Sequence, residues 1–191
     1  MHLKDWVLHI KKTYFHPKAD EILRKEFQEK IEEYQKEYKI IVYLDESGFA
    51  QDMPRECGYS EKGRRCYDKK DWHAKGRINA IGAIINNQLL TVSLFDSNID
   101  SDVFFAWLEK DLIPKLPKES VIVMDNATFH KRLDMQEIIQ KNNHILLYLP
   151  PYSPDLNPIE HKWSEAKSIR RKERCSVDDL FIHHMSYINL E

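Results

Sequence analysis

Cysteine is scarce: Cys57, Cys66 and Cys175 are the only three in 191 residues. So odd and sparse a set excludes a disulfide framework and suits a reducing cytosol. Cys57 and Cys66, with His73 nearby, fit no common zinc-finger spacing and lack a fourth ligand, so no zinc site is expected. Net charge is scarce as well, since 29 Lys+Arg against 31 Asp+Glu leave −2. That balance excludes a basic histone-like protein and an acidic disordered tail, but not nucleic acid, for which the placement of basic residues decides. No apolar run approaches the ~18–20 residues of a membrane span. Met1 to Ile10 mixes His, Lys and Asp with its apolar residues and shows no small-residue cleavage site, so it does not read as a signal peptide. Repeats and low-complexity tracts are missing too. What is present is core material, with 42% hydrophobic and 11% aromatic residues. That suffices for one domain of ordinary size with a short appendage.

Composition divides the chain into a Lys/Glu-rich stretch, residues 1–38, and a stretch 39–191 in which apolar runs alternate with helical patterns. After a break at His16-Pro17, Ala19 to Tyr38 predicts an amphipathic helix, with Ile22, Phe27, Ile31 and Tyr34 toward the domain. Ile40 to Leu44 is an unbroken apolar run of the kind buried on both faces of a sheet. Arg77–Ile85 and Gln88–Phe95 flank Asn86-Asn87, a hairpin signal. Asp100 or Ser101 caps a helix that ends before Pro114. Val121–Met124 is a second buried strand, Lys131–Asn142 a helix, and Ile145–Leu149 a further strand. Asn157 as N-cap with Pro158 at the first helical position starts another helix, and Ser176 opens the last. The expected fold is a mixed α/β sheet, antiparallel first and then parallel, with helices on both faces and a helix ahead of it.

Asp45 follows the first buried run and Asp125 the second. On adjacent parallel strands ~4.8 Å apart, their carboxylates would stand side by side at the edge where α/β sheets bind ligands. An Asp at a strand end also caps turns, so a third group decides. Four prolines between Pro150 and Pro158 stiffen the approach to Glu160, which falls in the first helical turn, where the dipole favours a carboxylate. Three ionised carboxylates call for a cation, and hard oxygen donors point to magnesium or manganese. Two such ions suit in-line phosphoryl transfer. Glu46 points to the other side of an extended chain, and Asp155 reads as a turn residue.

The segments Leu44-Asp45-Glu46-Ser47-Gly48-Phe49, Met124-Asp125-Asn126-Ala127-x-x-His130-Lys131 and Leu149-Pro150-Pro151-Tyr152-Ser153-Pro154-x-Leu156-Asn157-Pro158-Ile159-Glu160 resemble the catalytic domain of bacterial insertion-sequence transposases of the mariner superfamily. Asp125 and Glu160 are separated by 34 residues, the spacing of that family. The resemblance implies an RNase H-like fold over 39–191, two Mg2+ or Mn2+ ions on Asp45, Asp125 and Glu160, and cleavage and strand transfer of double-stranded DNA at element ends and target. It also implies a homodimer on DNA, no membrane, and a cytoplasmic location on the bacterial nucleoid. Gly58 to Gly63 and the following lysines resemble the family's first insertion. Residues 1–38 resemble a linker and the helical remnant of a DNA-binding region too short for a helix-turn-helix module. The family's pattern then implies a separate helix-turn-helix subunit from a split reading frame, or a decayed element.

The expected DNA contacts are Lys69, Lys70, Lys75, Arg77, His130, Lys167, Arg171 and Arg174. Lys167, Arg171 and Arg174 follow Glu160 down one helix face, where a phosphate backbone leaving the site would run. A solvated basic face is the plain alternative, since Glu165 and Glu173 are near. Ile159, Trp163 and Ala166 face the core, and His183-His184 face solvent. Against the transposase reading stand a general RNase H-like nuclease and an inactive remnant acting only as a DNA-binding or oligomerisation module. The intact acidic triad favours retained chemistry.

Overall fold

A computed structural model describes residues 16–52, 60–67 and 76–190. Five strands form one sheet in the order β3-β2-β1-β4-β5. They are β1 (Ile41–Ala50), β2 (Arg77–Ile85), β3 (Gln88–Phe95), β4 (Val121–Met124) and β5 (Ile145–Tyr148). β1, β2 and β3 pair antiparallel, and β1-β4 and β4-β5 pair parallel. The hairpin turns at Asn86 and Asn87, both left-handed at φ 48° and 63°, a conformation that asparagine tolerates. Lys69, Lys70, Lys75, Cys57 and His73 lie outside the described residues. Among those residues, no helix is long and apolar enough to cross a membrane.

Alternation along β1 sorts the two faces. Val42 and Leu44 pack with Ile81, Ile122 and Met124 beneath α2 (Ser101–Trp107) and α3 (Leu133–Lys141). Phe49, Ala80 and Ile84 face Ile159, Trp163 and Ala166 of α4 (Ile159–Glu173) and the C-terminal Leu180 and Phe181. On that same face, Ile41, Val121 and Val123 take Phe27 and Ile31 of α1 (Glu21–Lys36). Helices therefore cover both faces of a sheet whose central strands β1 and β4 open as unbroken apolar runs, Ile41–Leu44 and Val121–Met124.

Several boundaries differ from expectation. β1 runs on to Ala50 because β2 keeps pairing with it after β4 has ended, so Asp45 sits within the strand, not after it. α2 is capped by Asp100, whose carboxylate accepts from the Asp102 and Val103 amides. Its backbone continues as a π-turn at Leu108–Leu112 and a 3-10 turn at Ile113–Lys115 that includes Pro114. Proline is tolerated there because the first N–H groups of a new turn have no helical partner. α3 starts at Leu133, after a separate 3-10 turn at Thr128–Lys131. On α1 the buried side chains are Arg24, Phe27 and Ile31, whereas Ile22 is 71% exposed because it lies off that stripe. The last helix, α5 (Val177–Asp179), passes into a π-turn that leaves His183 and His184 exposed, as expected.

Candidate active site

The β1-β4 register pairs Ile41 with Val121 and Tyr43 with Val123. Carried two residues further, it sets Asp45 level with Asp125. Glu160 arrives from α4, and all three carboxylates line one cavity of about 350 Å³ with Asn126, Tyr152 and Asn157. Among the described residues, no three His, Cys, Asp or Glu side chains are already drawn together to hold a metal ion. The carboxylates share a cavity without closing on a point.

Their environments differ sharply. Burial raises the Asp45 carboxyl to about 8, and the neighbouring charges of Glu160, Glu46 and Asp125 add to the rise. Burial also acts to raise Asp125, but hydrogen bonds from His130 and the Ala127 amide outweigh it and hold that carboxyl below its ordinary value. Two acids at one site thus have their ionisation pushed apart by desolvation and hydrogen bonding.

His130 is expected among the DNA contacts, and the structure corrects this. Its side chain is 1% exposed, with Nδ1 2.5 Å from Oδ1 of Asp125 and Nε2 3.0 Å from Oε1 of Glu46. Phe104 covers the ring, with centroids 4.3 Å apart. Burial would lower the imidazole, yet the bonds to Asp125 and Glu46 raise it to about 9, so it is a cation between two carboxylates at neutral pH. The reason is placement. His130 sits on the turn following Asp125, and Glu46 projects from the opposite face of β1 to Asp45, as strand alternation requires. Alternation alone predicts that Glu46 turns away from Asp45, but not that a partner meets it there.

Two contacts position the start of helix α4. Gly82 pairs with Asp45 across the β1-β2 ladder, and an ideal Cβ on it would fall 2.6 Å from Cη2 of Trp163. The tryptophan ring therefore lies directly on the backbone opposite Asp45. Asn157 is expected as the N-cap of this helix. Its side-chain amide instead donates to the Leu44 carbonyl at 3.3 Å, and Pro158 occupies the cap position without a side-chain bond. That diversion ties the helix start to the residue before Asp45. It also leaves Asn157 Oδ1 buried and unpartnered.

The basic residues do not all stand together. Lys167 reaches over the Phe49 ring at 5.5 Å, Arg171 is half-buried beside it on α4, and exposed Arg77 lies across Gly48, where a Cβ would sit 1.6 Å from its Nε. Arg174 departs from the expected stripe. It is the left-handed C-cap of α4, φ 54°, so the helix has already ended there. Arg170, not singled out in the sequence, is buried and donates to the carbonyls of Ala50, Gln51 and Cys175. It binds the end of β1 to α4.

A family model described as "DDE superfamily endonuclease" matches residues 40–180. The chain belongs to the DDE superfamily endonucleases. The Tc3 transposase of Caenorhabditis elegans is 28% identical over 131 residues, 64% of this chain and 40% of that protein. This DDE chain thus spans well under half the length of that curated relative. Its fold resembles that of the Mos1 transposase paired-end complex with left transposon end, TM-score 0.66 at 14% identity, covering 85% of this chain and 53% of that one. It also resembles the Mos1 mariner paired end complex with Mn, TM-score 0.59 at 16% identity, covering 84% and 53%. The RNase H-like expectation is borne out by these likenesses.

Proposed function

We propose that residues 39–191 are the catalytic domain of a DNA transposase that cleaves and rejoins strands of a mobile element with Mg2+ or Mn2+. The observation that carries this reading is the convergence of Asp45, Asp125 and Glu160 on one cavity at the carboxyl edge of the sheet. The donors fit a hard divalent cation, being carboxylates with no thiolate among them. An acid raised by burial and by three neighbouring carboxylates is the electrostatic state a cation would relieve. The Mos1 complex with Mn lends the same support through a related fold. Two bound ions would activate the attacking oxygen and stabilise the leaving oxygen of an in-line phosphoryl transfer.

The chain's own residues then have separable tasks. Asp45, Asp125 and Glu160 hold the ions, and His130 keeps Asp125 ionised and oriented. Lys167 and Arg171 take the phosphate backbone, joined by Arg77 and by Lys69, Lys70 and Lys75 of the 53–75 region. Recognition of element ends belongs to a helix-turn-helix subunit of a bacterial insertion sequence, encoded by a split reading frame, and two copies act together on DNA.

The test is cleavage of double-stranded DNA by the purified chain with Mn2+, alone and with Asp45→Asn, Asp125→Asn or Glu160→Gln. Each substitution should remove cleavage while the fold persists. Equal cleavage by any of them would overturn the assignment. A wild-type chain that binds DNA but never cuts it would leave the inactive-remnant reading in its place.

A further inference from the structure

Glu160 is delivered by residues 149–158, and this loop is held from the far side by α1. Arg24 donates from Nη1 to Oδ1 of Asp155 at 2.9 Å and from Nη2 to Oδ2 at 2.7 Å. The guanidinium is nearly buried, its side chain only 11% exposed. Both oxygens of Asp155 are thereby fixed, in the 3-10 turn Pro154–Leu156 that leads directly to Asn157 and Glu160. Leu149 and Leu156 at the two ends of the loop pack against the layer that holds Phe27 and Ile31. Between them Tyr152, left-handed at φ 57°, lines the carboxylate cavity and stacks on His16 with centroids 4.7 Å apart. The family match begins at residue 40, so it assigns α1 no part in the site.

We propose that Arg24 and Asp155 are a positioning pair, through which α1 sets the loop that aims Glu160 at Asp45 and Asp125. The geometry separates this role from plain support. Phe27 and Ile31 hold α1 on the sheet without the ion pair, so its loss frees the loop while the helix stays docked. A bidentate fork fixes direction as well as distance, which a point charge does not. Asn157 restrains the same segment from the β1 side. The loop therefore has two anchors, and Glu160 follows the second one's helix only when the first holds the turn before it.

This inference rests on the metal-binding reading above, and the experiment keeps the two apart. Mn2+ binding to the full chain is measured by calorimetry, and metal-free melting is measured in parallel. Asp155→Asn and Arg24→Met should each weaken Mn2+ by about tenfold, the lower range for residues that orient metal ligands. Metal-free melting should move by less than about 5 °C. The charge swap Arg24→Asp with Asp155→Arg should restore affinity. Arg24→Lys, which keeps the charge and loses the fork, should fall between. Unchanged affinity in the single variants, or a folded swap that restores nothing, overturns the pair. Should the single variants not fold, wild-type affinity in Arg24→Lys overturns it. A wild-type chain that binds no Mn2+ defeats the metal reading instead.

Discussion

Gly82 carries the indole of Trp163, with room for no side chain between them: a Cβ on Gly82 would come within 2.6 Å of the ring. Because Gly82 pairs with Asp45 and Trp163 lies one turn beyond Glu160 on α4, this contact sets the distance between two carboxylates of the site. A methyl group at residue 82 must push the helix outward, since the ring is fully buried and has nowhere to turn. Gly82→Ala should cost about 1–3 kcal/mol, the usual range for overpacking. It should also weaken Mn2+ binding, read by calorimetry, more than an overpacking substitution of Ala83, whose side chain belongs to the other face. Trp163→Ala should cost about 3–5 kcal/mol in denaturant unfolding. Equal metal affinity in Gly82→Ala and wild type would show that α4 does not govern the site.

Asp45 gives a pH dependence of unusual sign. Its folded carboxyl is raised to about 8 from an ordinary 3.8, so the folded metal-free chain holds a proton that the unfolded chain releases. Stability contributed by this group is complete below the ordinary value and is lost as pH rises toward 8. Asp45→Asn should therefore melt higher than wild type at pH 8 without metal, and the gap should narrow by pH 5. With saturating Mn2+ the order should reverse, because only wild type gains from the ion. Wild-type Mn2+ affinity should climb by about tenfold per pH unit below 8, as a proton must leave first. A flat affinity between pH 6 and 8 would contradict the buried, protonated Asp45.

Much of this is readable in the residues, and the misses share a cause. The hairpin, the buried strands β1 and β4 and the three converging carboxylates follow from runs of apolar residues broken by Asp and from prolines ahead of Glu160. Those are local signals. Asn157 reads as a cap because capping is the local use of an asparagine before a helix, yet its bond goes to Leu44, 113 positions away. His130 reads as a surface residue because nothing in its neighbourhood announces that Glu46 will meet it from β1. Arg24 and Arg170 escape notice because charge in a sequence suggests a solvent-facing side chain, and each is buried by partners distant in the chain. A histidine five residues after a metal-type aspartate is the one signal available for His130, since carboxylates that hold a metal are themselves hydrogen-bonded by outer partners.

His130 should behave as a positioning residue for Asp125. His130→Gln keeps a donor but loses the second bond to Glu46, and should weaken Mn2+ by about 10–100-fold, the range for outer partners of metal ligands. Glu46→Gln should have a smaller effect, since it leaves the bond to Asp125 in place. DNA affinity measured without metal should hardly change in either, because a buried ring offers nothing to phosphate. If His130→Gln loses DNA binding and keeps its metal, the ring belongs to the DNA surface after all.

The basic face of α4 admits a comparison of two surfaces on one chain. Lys167 and Arg171 lie on the same side of the helix as Glu160, and Lys25, Lys30 and Lys36 lie on α1, exposed. Replacing Lys167 and Arg171 with Ala should lower affinity for double-stranded DNA. It should also reduce the slope of log affinity against log salt by about 0.9 for each phosphate no longer neutralised. The α1 triple change should leave that slope alone. Exposed charges contribute about 0–1 kcal/mol each, so the α1 set should hardly alter melting, whereas the half-buried Lys167 and Arg171 should alter it somewhat more through lost packing. Lys167 carries one complication, since its ammonium lies over the Phe49 ring and its removal exposes an aromatic face. Lys167→Gln, which keeps most of the stem, therefore serves beside Lys167→Ala. If both sets shift the slope equally, the α4 face is a solvated surface and the DNA path past Glu160 runs elsewhere, while the metal site stands untouched.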